Sequence, residues 1–420
     1  MKNKLKVLGP TLVIALAIAG CSSKATDNAD SGESGGVKAG VGVTSDAITL
    51  GALVPLSGPI GGLGQDGVAG IQLWFDKVDA GGGVCDRELR IESRDNKYNS
   101  QETMTQYTSL RTDIAGIVNL SPGTDAVTLG PKLAQDGVAV LAGSYDPVLL
   151  TVPQAFMPGA PYDVEAVNGV AYLVEKGILK EGDTIGVIAY PNGIGVAVTN
   201  GVAGAAQQFG LKVENTKIDS TATDATAQVN TLRQAGAKAI VMGTASAQTV
   251  SAAAVAKAGG YDVVIQATNL LSSGDLAGPA RDALVDHVVL TSNSAPFSSD
   301  AAPVQELLAA WEAKYGDRAA TAPAAAGYLM AQLLEKGLNQ ACEDKDLTPQ
   351  GITTAMSKVG VIDTDGLAVD LDFSNPGTAP SLESFILVPD PNAKGGTVIA
   401  QTPTASAAAV KYAADKSYTK

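Results

Sequence analysis

Residues 48–59 read ITLGALVPLSGP, an apolar and β-branched run that ends in a turn containing proline and glycine. Apolar side chains fall on both alternating sets of positions, which is typical of a strand covered on both faces in a parallel sheet. In the following segment, 66–78, Val68, Ile71 and Phe75 are spaced to form one apolar stripe of a helix. The order predicts a strand, a turn and a helix, the first unit of an α/β fold.

The same alternation continues along the chain. Further apolar runs predict strands at 89–93, 114–119, 138–141, 184–189, 212–217, 239–242, 263–266, 287–291 and 384–389. Amphipathic stretches predict helices at 101–112, 125–135, 164–176, 196–210, 225–235, 247–258, 302–315, 322–336 and 351–358. This spacing indicates parallel, doubly wound sheets, and the series runs twice, ending first near residue 161 and starting again at 184.

Size and charge narrow the class of protein. The 420 residues include 29 Lys and Arg against 43 Asp and Glu, a net charge of −14. Nucleic-acid binding needs basic patches, so we expect no nucleic-acid partner. About 360 residues remain after the N-terminal segments described next, which is more than one ordinary core holds and enough for two.

The N-terminus has the pattern of an export signal. Three lysines precede the apolar run 12–18, which is shorter than the roughly 20 residues that span a bilayer. Residues 18–21, IAGC, resemble a bacterial lipobox, which predicts a signal peptide over 1–20, lipidation of Cys21 and anchoring to the outer side of the cell membrane. An ordinary secretory signal is the alternative. Residues 21–46 are small and polar, and we expect a flexible tether there.

Catalytic and cofactor motifs are weak. Residues 62–67, GLGQDG, match the GxGxxG pattern that binds a pyrophosphate, but residues 54–62 separate it from the strand, too many for the tight turn. A glycine-rich hinge or rim loop is the better interpretation. His287 is the single histidine, expected at the start of a strand, and no HExxH, CxxC or Ser/His/Asp arrangement is present. We therefore expect no enzyme, no metal and no cofactor.

The motifs around the opening stretch resemble those of the leucine/isoleucine/valine-binding protein family, the type I periplasmic solute-binding proteins of branched-chain amino acid-type ABC importers. The family pattern I-x-I-G-x-x-x-P-L-[ST]-G is similar to ITLGALVPLSG at 48–58. Its glycine turn is similar to DAGGG at 79–83, its G-R-x-I-x-L strand to RELRI at 87–91, and its D-[DN] pair to Asp95-Asn96. The resemblance extends over most of the chain, from about residue 47 to 390.

This resemblance implies two Rossmann-like, doubly wound lobes joined by three crossovers, with the ligand in the cleft between them. It also implies two partners, a small-molecule solute and the membrane subunits of an ABC importer. A receptor of the same fold that signals to a membrane partner is the alternative. The expected lobes are residues 47–162 with 292–362 and residues 163–291 with 363–400, followed by a tail over 401–420.

Two cysteines remain once Cys21 is assigned to a lipid. Cys85 and Cys342 form an even pair in an oxidising compartment, which favours a disulfide that would staple distant parts of one lobe. Two unpaired thiols are the alternative.

Loops that follow the predicted strands supply the ligand-binding residues that the resemblance implies. Loop 120–125, LSPGTD, corresponds to the family's carboxylate loop, and loop 142–147, AGSYDP, corresponds to its second loop. In the second lobe the matching loops are 192–195, 243–246 and 267–270. The implied ligand-binding residues are Ser121, Gly123, Thr124, Gly143, Ser144, Tyr145, Ile194, Ala245, Thr268 and Asn269. For the first loop a plain helix N-cap is the alternative.

The second-lobe loops differ from those of amino-acid binders. Ile194 and Ala245 stand near the places where the family uses tyrosine, and Thr268 or Asn269 where it uses an acid. An ammonium buried without a carboxylate is costly. We therefore expect a solute that bears a carboxylate or an amide, with an uncharged remainder.

Overall fold

Strands and helices alternate along the chain as the sequence predicts. The computed structural model describes residues 33–34, 36–58, 60–268, 275–276 and 278–419, so the expected signal peptide, Cys21 and Asn269 lie outside the described residues. The strands are β1 (Glu33–Ser34), β2 (Val37–Ala39), β3 (Ala47–Val54), β4 (Glu88–Asp95), β5 (Gly116–Leu120), β6 (Val140–Ala142), β7 (Ala155–Phe156), β8 (Thr184–Ala189), β9 (Lys212–Lys217), β10 (Ala237–Gly243), β11 (Val264–Thr268), β12 (Val288–Ser292), β13 (Asp346–Leu347), β14 (Val361–Ile362), β15 (Leu371–Asp372), β16 (Ser384–Pro389) and β17 (Thr397–Thr404).

The α-helices lie between these strands. They are α1 (Gly61–Ala80), α2 (Ser100–Leu110), α3 (Asp125–Asp136), α4 (Tyr162–Glu175), α5 (Ile194–Phe209), α6 (Thr226–Gln234), α7 (Ser246–Ala258), α8 (Arg281–His287), α9 (Ala302–Tyr315), α10 (Ala322–Glu343), α11 (Pro349–Lys358) and α12 (Ala407–Asp415).

The first sheet is parallel, with the order β4-β3-β5-β6-β7. Its central strand β3 is buried at nearly every position, as its continuous apolar sequence predicts. Helices α1 and α10 supply the core on one face, where Ile71, Phe75 and Tyr328 are buried together with Leu50. Helices α2 and α3 supply a separate core on the other face. We call this sheet with its helices the first lobe.

The second sheet has the order β17-β16-β12-β11-β10-β8-β9. Strands β8 to β12 pair in parallel, whereas β16 and β17 add an antiparallel edge. Helices α4, α5 and α12 pack on one another against this sheet. We call this sheet with its helices the second lobe. The α/β fold class with two doubly wound lobes is confirmed.

Both ends of the described chain carry more structure than the sequence indicates. Strand β2, within the expected tether, pairs in parallel with β13, and Ala39 is buried. Strand β17 and helix α12, which include most of the expected tail, belong to the second lobe. These segments are short or alanine-rich, and the surfaces that bury them come from distant parts of the chain.

Three extended connections run side by side between the lobes. The side-chain oxygen of Asn293 accepts a hydrogen bond from the Ala160 N–H at 2.8 Å, and its side-chain nitrogen donates to the Ala160 carbonyl at 3.2 Å. The Val369 N–H donates to the Asn293 carbonyl at 2.8 Å, and the Ala295 N–H donates to the Leu367 carbonyl at 3.0 Å. Asn293 lies in one crossover and is hydrogen-bonded to the other two, so this one buried residue joins all three.

The GLGQDG motif is helical, so its interpretation as a hinge or rim loop is wrong. It forms the first two turns of α1, and its glycines allow close backbone contacts. A β-carbon at Gly64 would lie 1.9 Å from the Pro55 carbonyl oxygen. One at Gly70 would lie 1.9 Å from the Ala324 carbonyl oxygen, and one at Gly327 would lie 2.0 Å from that of Gly67. The glycines thus serve the packing of α1 against α10 and against the turn after β3.

Cys85 and Cys342 form a disulfide with a Cα–Cα distance of 6.1 Å, across 257 residues of sequence. The bond joins the turn after α1 to the last turn of α10, two helices that already pack together. His287 ends α8 instead of starting β12, and its Nδ1 lies 2.9 Å from the Val263 carbonyl oxygen.

Replacement of Asn293 by alanine tests the crossover contact. Asn293→Ala leaves the Ala160 N–H and carbonyl unpaired in a buried site, and each such group costs about 1–3 kcal/mol. Urea unfolding should show a loss in this range or larger. Asn230→Ala, at an exposed position of α6, is the control and should change the free energy of unfolding little. Equal values for the two variants would contradict this role of Asn293.

Replacement of Gly70 by alanine tests the helix pair. The new methyl group collides with backbone atoms of α10, and overpacking of this kind costs about 1–3 kcal/mol. Chemical denaturation should show that loss for Gly70→Ala, although alanine is intrinsically the better helix former. Gly62→Ala in the same helix meets nothing within 4 Å and should be neutral or slightly stabilising. An unchanged free energy of unfolding in Gly70→Ala would show that α1 and α10 can move apart to accommodate the methyl group without a loss of stability.

Candidate ligand-binding cleft

The carboxyl ends of the parallel strands place the loops of each lobe along one edge of its sheet. In the first lobe, β5 and β6 lead into the loops at 121–124 and 143–146. In the second lobe, β8 and β10 lead into the loops after residues 189 and 243, and β11 ends at Thr268. The two edges approach each other, since a β-carbon at Gly193 would lie 3.8 Å from the Asp146 side-chain oxygen Oδ2. Ligands of doubly wound folds bind at such edges.

The two first-lobe loops are packed together. A β-carbon at Gly123 would lie 2.8 Å from both Cβ and N of Ser144, so a larger residue would push the loops apart. The N–H of Gly143 donates to the Leu120 carbonyl at 2.9 Å. These contacts bring Ser121, Gly123, Gly143 and Ser144 into one surface.

Thr124 stands at the N-terminus of the 12-residue helix α3 without capping it. Its side chain makes no cap hydrogen bond, so the alternative of a plain N-cap does not describe this residue. In the described part of the chain, the backbone N–H groups of Gly123 and Thr124 also have no acceptor. Three donors are therefore available where the helix dipole favours negative charge.

Buried polar side chains beneath the loop hold it in place. The Asp125 carboxylate accepts hydrogen bonds from the Ser100 and Thr103 hydroxyls, both at 2.6 Å. The Asn96 side-chain nitrogen donates to the Ser121 carbonyl at 2.8 Å. Beside them, the side-chain oxygen of Asn119 is buried and has no partner among the described residues.

An aromatic pair follows the second loop. The rings of Tyr145 and Tyr162 meet edge to face with centroids 5.5 Å apart, and the Tyr162 N–H donates to the Tyr145 carbonyl at 2.8 Å. Tyr145 belongs to the first lobe, while Tyr162 begins α4 in the second lobe. The pair therefore lies where the two lobes meet.

Glu165, in the first turn of α4, is the buried acid of this region. It is 2% exposed, and burial raises its pKa from 4.5 to about 8. It lies close enough to Tyr145 and Tyr162 to raise the pKa of both hydroxyls, in addition to the larger effect of their own burial. A buried carboxyl in this state is neutral at pH 7.

The neighbouring acid, Asp163, is held by the C-terminal segment. Its Oδ2 accepts hydrogen bonds from the Tyr412 hydroxyl at 3.0 Å and the Tyr418 hydroxyl at 2.9 Å. Burial raises the pKa of Asp163, and these two hydrogen bonds oppose the effect. The segment after β17 thus fixes the start of α4.

The second-lobe loops are tied to one another. The Ala245 N–H donates to the Tyr190 hydroxyl at 3.0 Å, and that hydroxyl donates to the Gln248 side-chain oxygen at 2.9 Å. Ile194 is half-buried at the start of α5. Thr268, at the end of β11, is buried, and its hydroxyl has no partner among the residues described.

The structure thus groups Ser121, Gly123, Thr124, Gly143, Ser144 and Tyr145 in one surface, and Ile194 follows Gly193, where the second lobe approaches Asp146. Within the described residues, Ala245 and Thr268 make no hydrogen bond to the first-lobe loops, and Asn269 lies outside the described residues. Sequence reasoning missed Glu165 and Tyr162, since it considered only loops. The available signal was the pair of acids in the otherwise apolar segment 162–174.

Comparison with known proteins identifies the family. The family model described as periplasmic binding protein matches residues 47–387. A fatty acid ABC transporter substrate-binding protein from Thermomonospora curvata is 30% identical, with a TM-score of 0.83, covering 90% of this chain and 97% of that one. No curated protein sequence matches the chain significantly.

More distant structures share the fold. A branched-chain amino acid ABC transporter protein from Thermus thermophilus with bound valine is 19% identical, with a TM-score of 0.75, covering 87% of this chain and 98% of that one. A solute-binding protein from R. palustris in complex with 4-hydroxybenzoate is 17% identical, with a TM-score of 0.70, covering 86% and 97%.

This chain belongs to the periplasmic binding protein family and has its type I fold. Family members are extracytoplasmic solute-binding proteins of ABC transporters, which bind a small molecule and work with membrane transporter subunits, and they are not enzymes. Of the helices in the described residues, none is long and apolar enough to cross a bilayer.

Replacement of Glu165 by glutamine tests its burial as a neutral acid. Between pH 4.5 and about 8 the unfolded chain releases this proton while the folded chain keeps it, so the free energy of unfolding falls as pH rises. Glutamine removes this dependence. In urea unfolding, the stability of Glu165→Gln relative to the parent should increase by about 1.4 kcal/mol per pH unit from pH 5 to 8 and then level off. For Glu175→Gln, at the exposed end of α4, the free energy of unfolding should change with pH as it does in the parent. The same pH dependence in Glu165→Gln and in the parent would contradict the prediction.

Proposed function

We propose that this protein is the substrate-binding lipoprotein of an ABC importer and that its cleft binds a small solute bearing a carboxylate or an amide. The observation that carries the proposal is the free hydroxyl of Thr124 beside the free N–H groups of Gly123 and Thr124, among the described residues. Three donors at a helix N-terminus form a site for a carboxylate. The unpaired oxygen of Asn119 could accept a hydrogen bond from an amide N–H.

The second lobe supplies an uncharged surface for the rest of the solute. Ile194, Ala245 and Thr268 offer apolar groups and one hydroxyl, and with Ser121, Gly143, Ser144, Tyr145 and Asn269 they complete the proposed lining. The fatty acid and the 4-hydroxybenzoate of the two related proteins are both monocarboxylates, which supports the same class of solute here.

The importer delivers the solute only if the receptor changes shape on binding. The crossovers around Asn293 are the natural hinge, and the approach of Gly193 to Asp146 marks where the lobes close. A solute that contacts both lobes favours the closed form by its difference in affinity for the two forms. We propose lobe boundaries near residues 162, 291 and 362, and a lipid on Cys21 that keeps the protein beside its transporter.

The test is calorimetric titration of the chain carrying Cys21→Ser with fatty acids of increasing length, benzoate, 4-hydroxybenzoate, their amides, leucine and valine. Thr124→Val removes one hydroxyl and keeps the branched shape. A hydrogen bond to a charged group contributes about 1.5–3 kcal/mol, so the Kd of the best carboxylate should rise roughly 10- to 100-fold.

Thr128→Val, exposed on the same helix, is the matched control and should bind as the parent does. Unchanged affinity in Thr124→Val would count against this cleft as the binding site.

A further inference from the structure

Glu165 is buried and has no hydrogen-bond partner among the described residues. Its side chain is 2% exposed, and within the described residues its carboxyl makes no hydrogen bond or ion pair. Glu165 raises the pKa of the hydroxyls of Tyr145 and Tyr162, so both rings lie near it. A buried carboxyl without a partner is costly, and such groups require an explanation.

The elements packed on α4 provide no positive charge. Helix α5 and strands β11, β12 and β16 contain no ionisable residue in their sequences. Helix α12 contributes Lys411, which is exposed, Asp415, also exposed, and Tyr412, whose hydroxyl is bonded to Asp163. An ionised Glu165 would have no counter-ion here, so the carboxyl keeps its proton, and burial raises its pKa to about 8.

Other unpaired polar atoms lie along the same side of α4. One helical turn after Glu165, a β-carbon at Gly169 would lie 2.5 Å from the side-chain carbon of Gln266. The Gln266 side-chain oxygen and the Thr268 hydroxyl, two residues further along the same face of β11, are both buried without a partner in the described structure. Two buried polar groups without a partner among the described residues thus lie near the carboxyl end of β11, on the strand that packs against α4.

We propose that Glu165 determines the specificity of the cleft: as a neutral acid beside Tyr145 and Tyr162, it donates a hydrogen bond to the carboxylate of the solute and disfavours solutes that carry an ammonium. The proposal rests on the proposed function, since it needs the solute in this cleft. It names the substrate class as monocarboxylates without an amino group.

The sign of the pH dependence separates the two classes of solute. A carboxylate binds the protonated acid and is repelled by the ionised one, so binding takes up a proton near and above pH 8. An amino acid needs the ionised form as a counter-ion for its ammonium, so its binding would release a proton and tighten as pH rises.

The experiment titrates octanoate, benzoate and leucine into the chain carrying Cys21→Ser, from pH 6.5 to 9.5, in buffers of different ionisation enthalpy. For the monocarboxylate that binds, the Kd should be constant below pH 7.5 and about tenfold higher at pH 9 than at pH 7, with proton uptake. Glu165→Gln keeps a donor but cannot ionise, so its Kd should stay within roughly threefold of the parent at pH 7 and not vary with pH.

Glu175→Gln, at the exposed end of α4, should keep the pH profile of the parent. A flat parental profile, while Thr124→Val still weakens binding, would overturn the role of Glu165 and leave the cleft assignment intact. Leucine binding that tightens with pH and is lost in Glu165→Gln would make Glu165 an ammonium partner and overturn the proposal. Failure of both monocarboxylates to bind would overturn the proposal for Glu165, and full affinity in Thr124→Val would overturn the proposed cleft as well.

Discussion

The hydrogen bonds of Asn293 to the neighbouring crossovers determine how the two sheets present their loops. Its side chain bonds both backbone groups of Ala160, and its carbonyl accepts from Val369, so three chain segments that are distant in sequence run side by side. The first sheet and strands β8 to β12 of the second sheet are parallel, so each lobe has its strand-end loops along one edge. The crossovers turn these edges toward one another, which brings Tyr145 against Tyr162 and Asp146 close to Gly193.

The resulting cleft has hydrogen-bond donors on the first-lobe side and few charged groups on the second-lobe side. At the start of α3, the neutral groups around Thr124 are free because Asp125 and Asn96 hold the loop from beneath. Across the cleft, the helix that carries Glu165 packs on α5, β11 and β12, whose sequences contain no ionisable residue. The low polarity that keeps Glu165 protonated also strengthens any hydrogen bond it makes. Burial thus gives one carboxyl a role that an exposed acid could not have.

Much of the fold could be predicted because its signals are local. The apolar run at 48–54 and the later strands have the pattern and burial of parallel strands, and the position of the loop at 121–124 follows from the strand that precedes it. The glycine motif at 62–67 misled because its spacing suits a phosphate loop as well as a helix contact. Only the position of α10, more than 200 residues later, shows why Gly70 in the same helix lacks a side chain.

The alternation of strands and helices, the two-lobe class and the cysteine pair available for a disulfide could all be predicted from the sequence. They could be predicted because the strand period, the helix period and the family motifs depend on residues that are close together in the chain. Tertiary structure alone decided that Thr124 leaves its helix uncapped, that residues 37–39 and 407–415 pack on distant elements, and that Glu165 is buried without a cation. The physical reason is that burial and pairing depend on which distant surfaces meet, and a carboxyl changes its chemistry when those surfaces bring neither water nor positive charge.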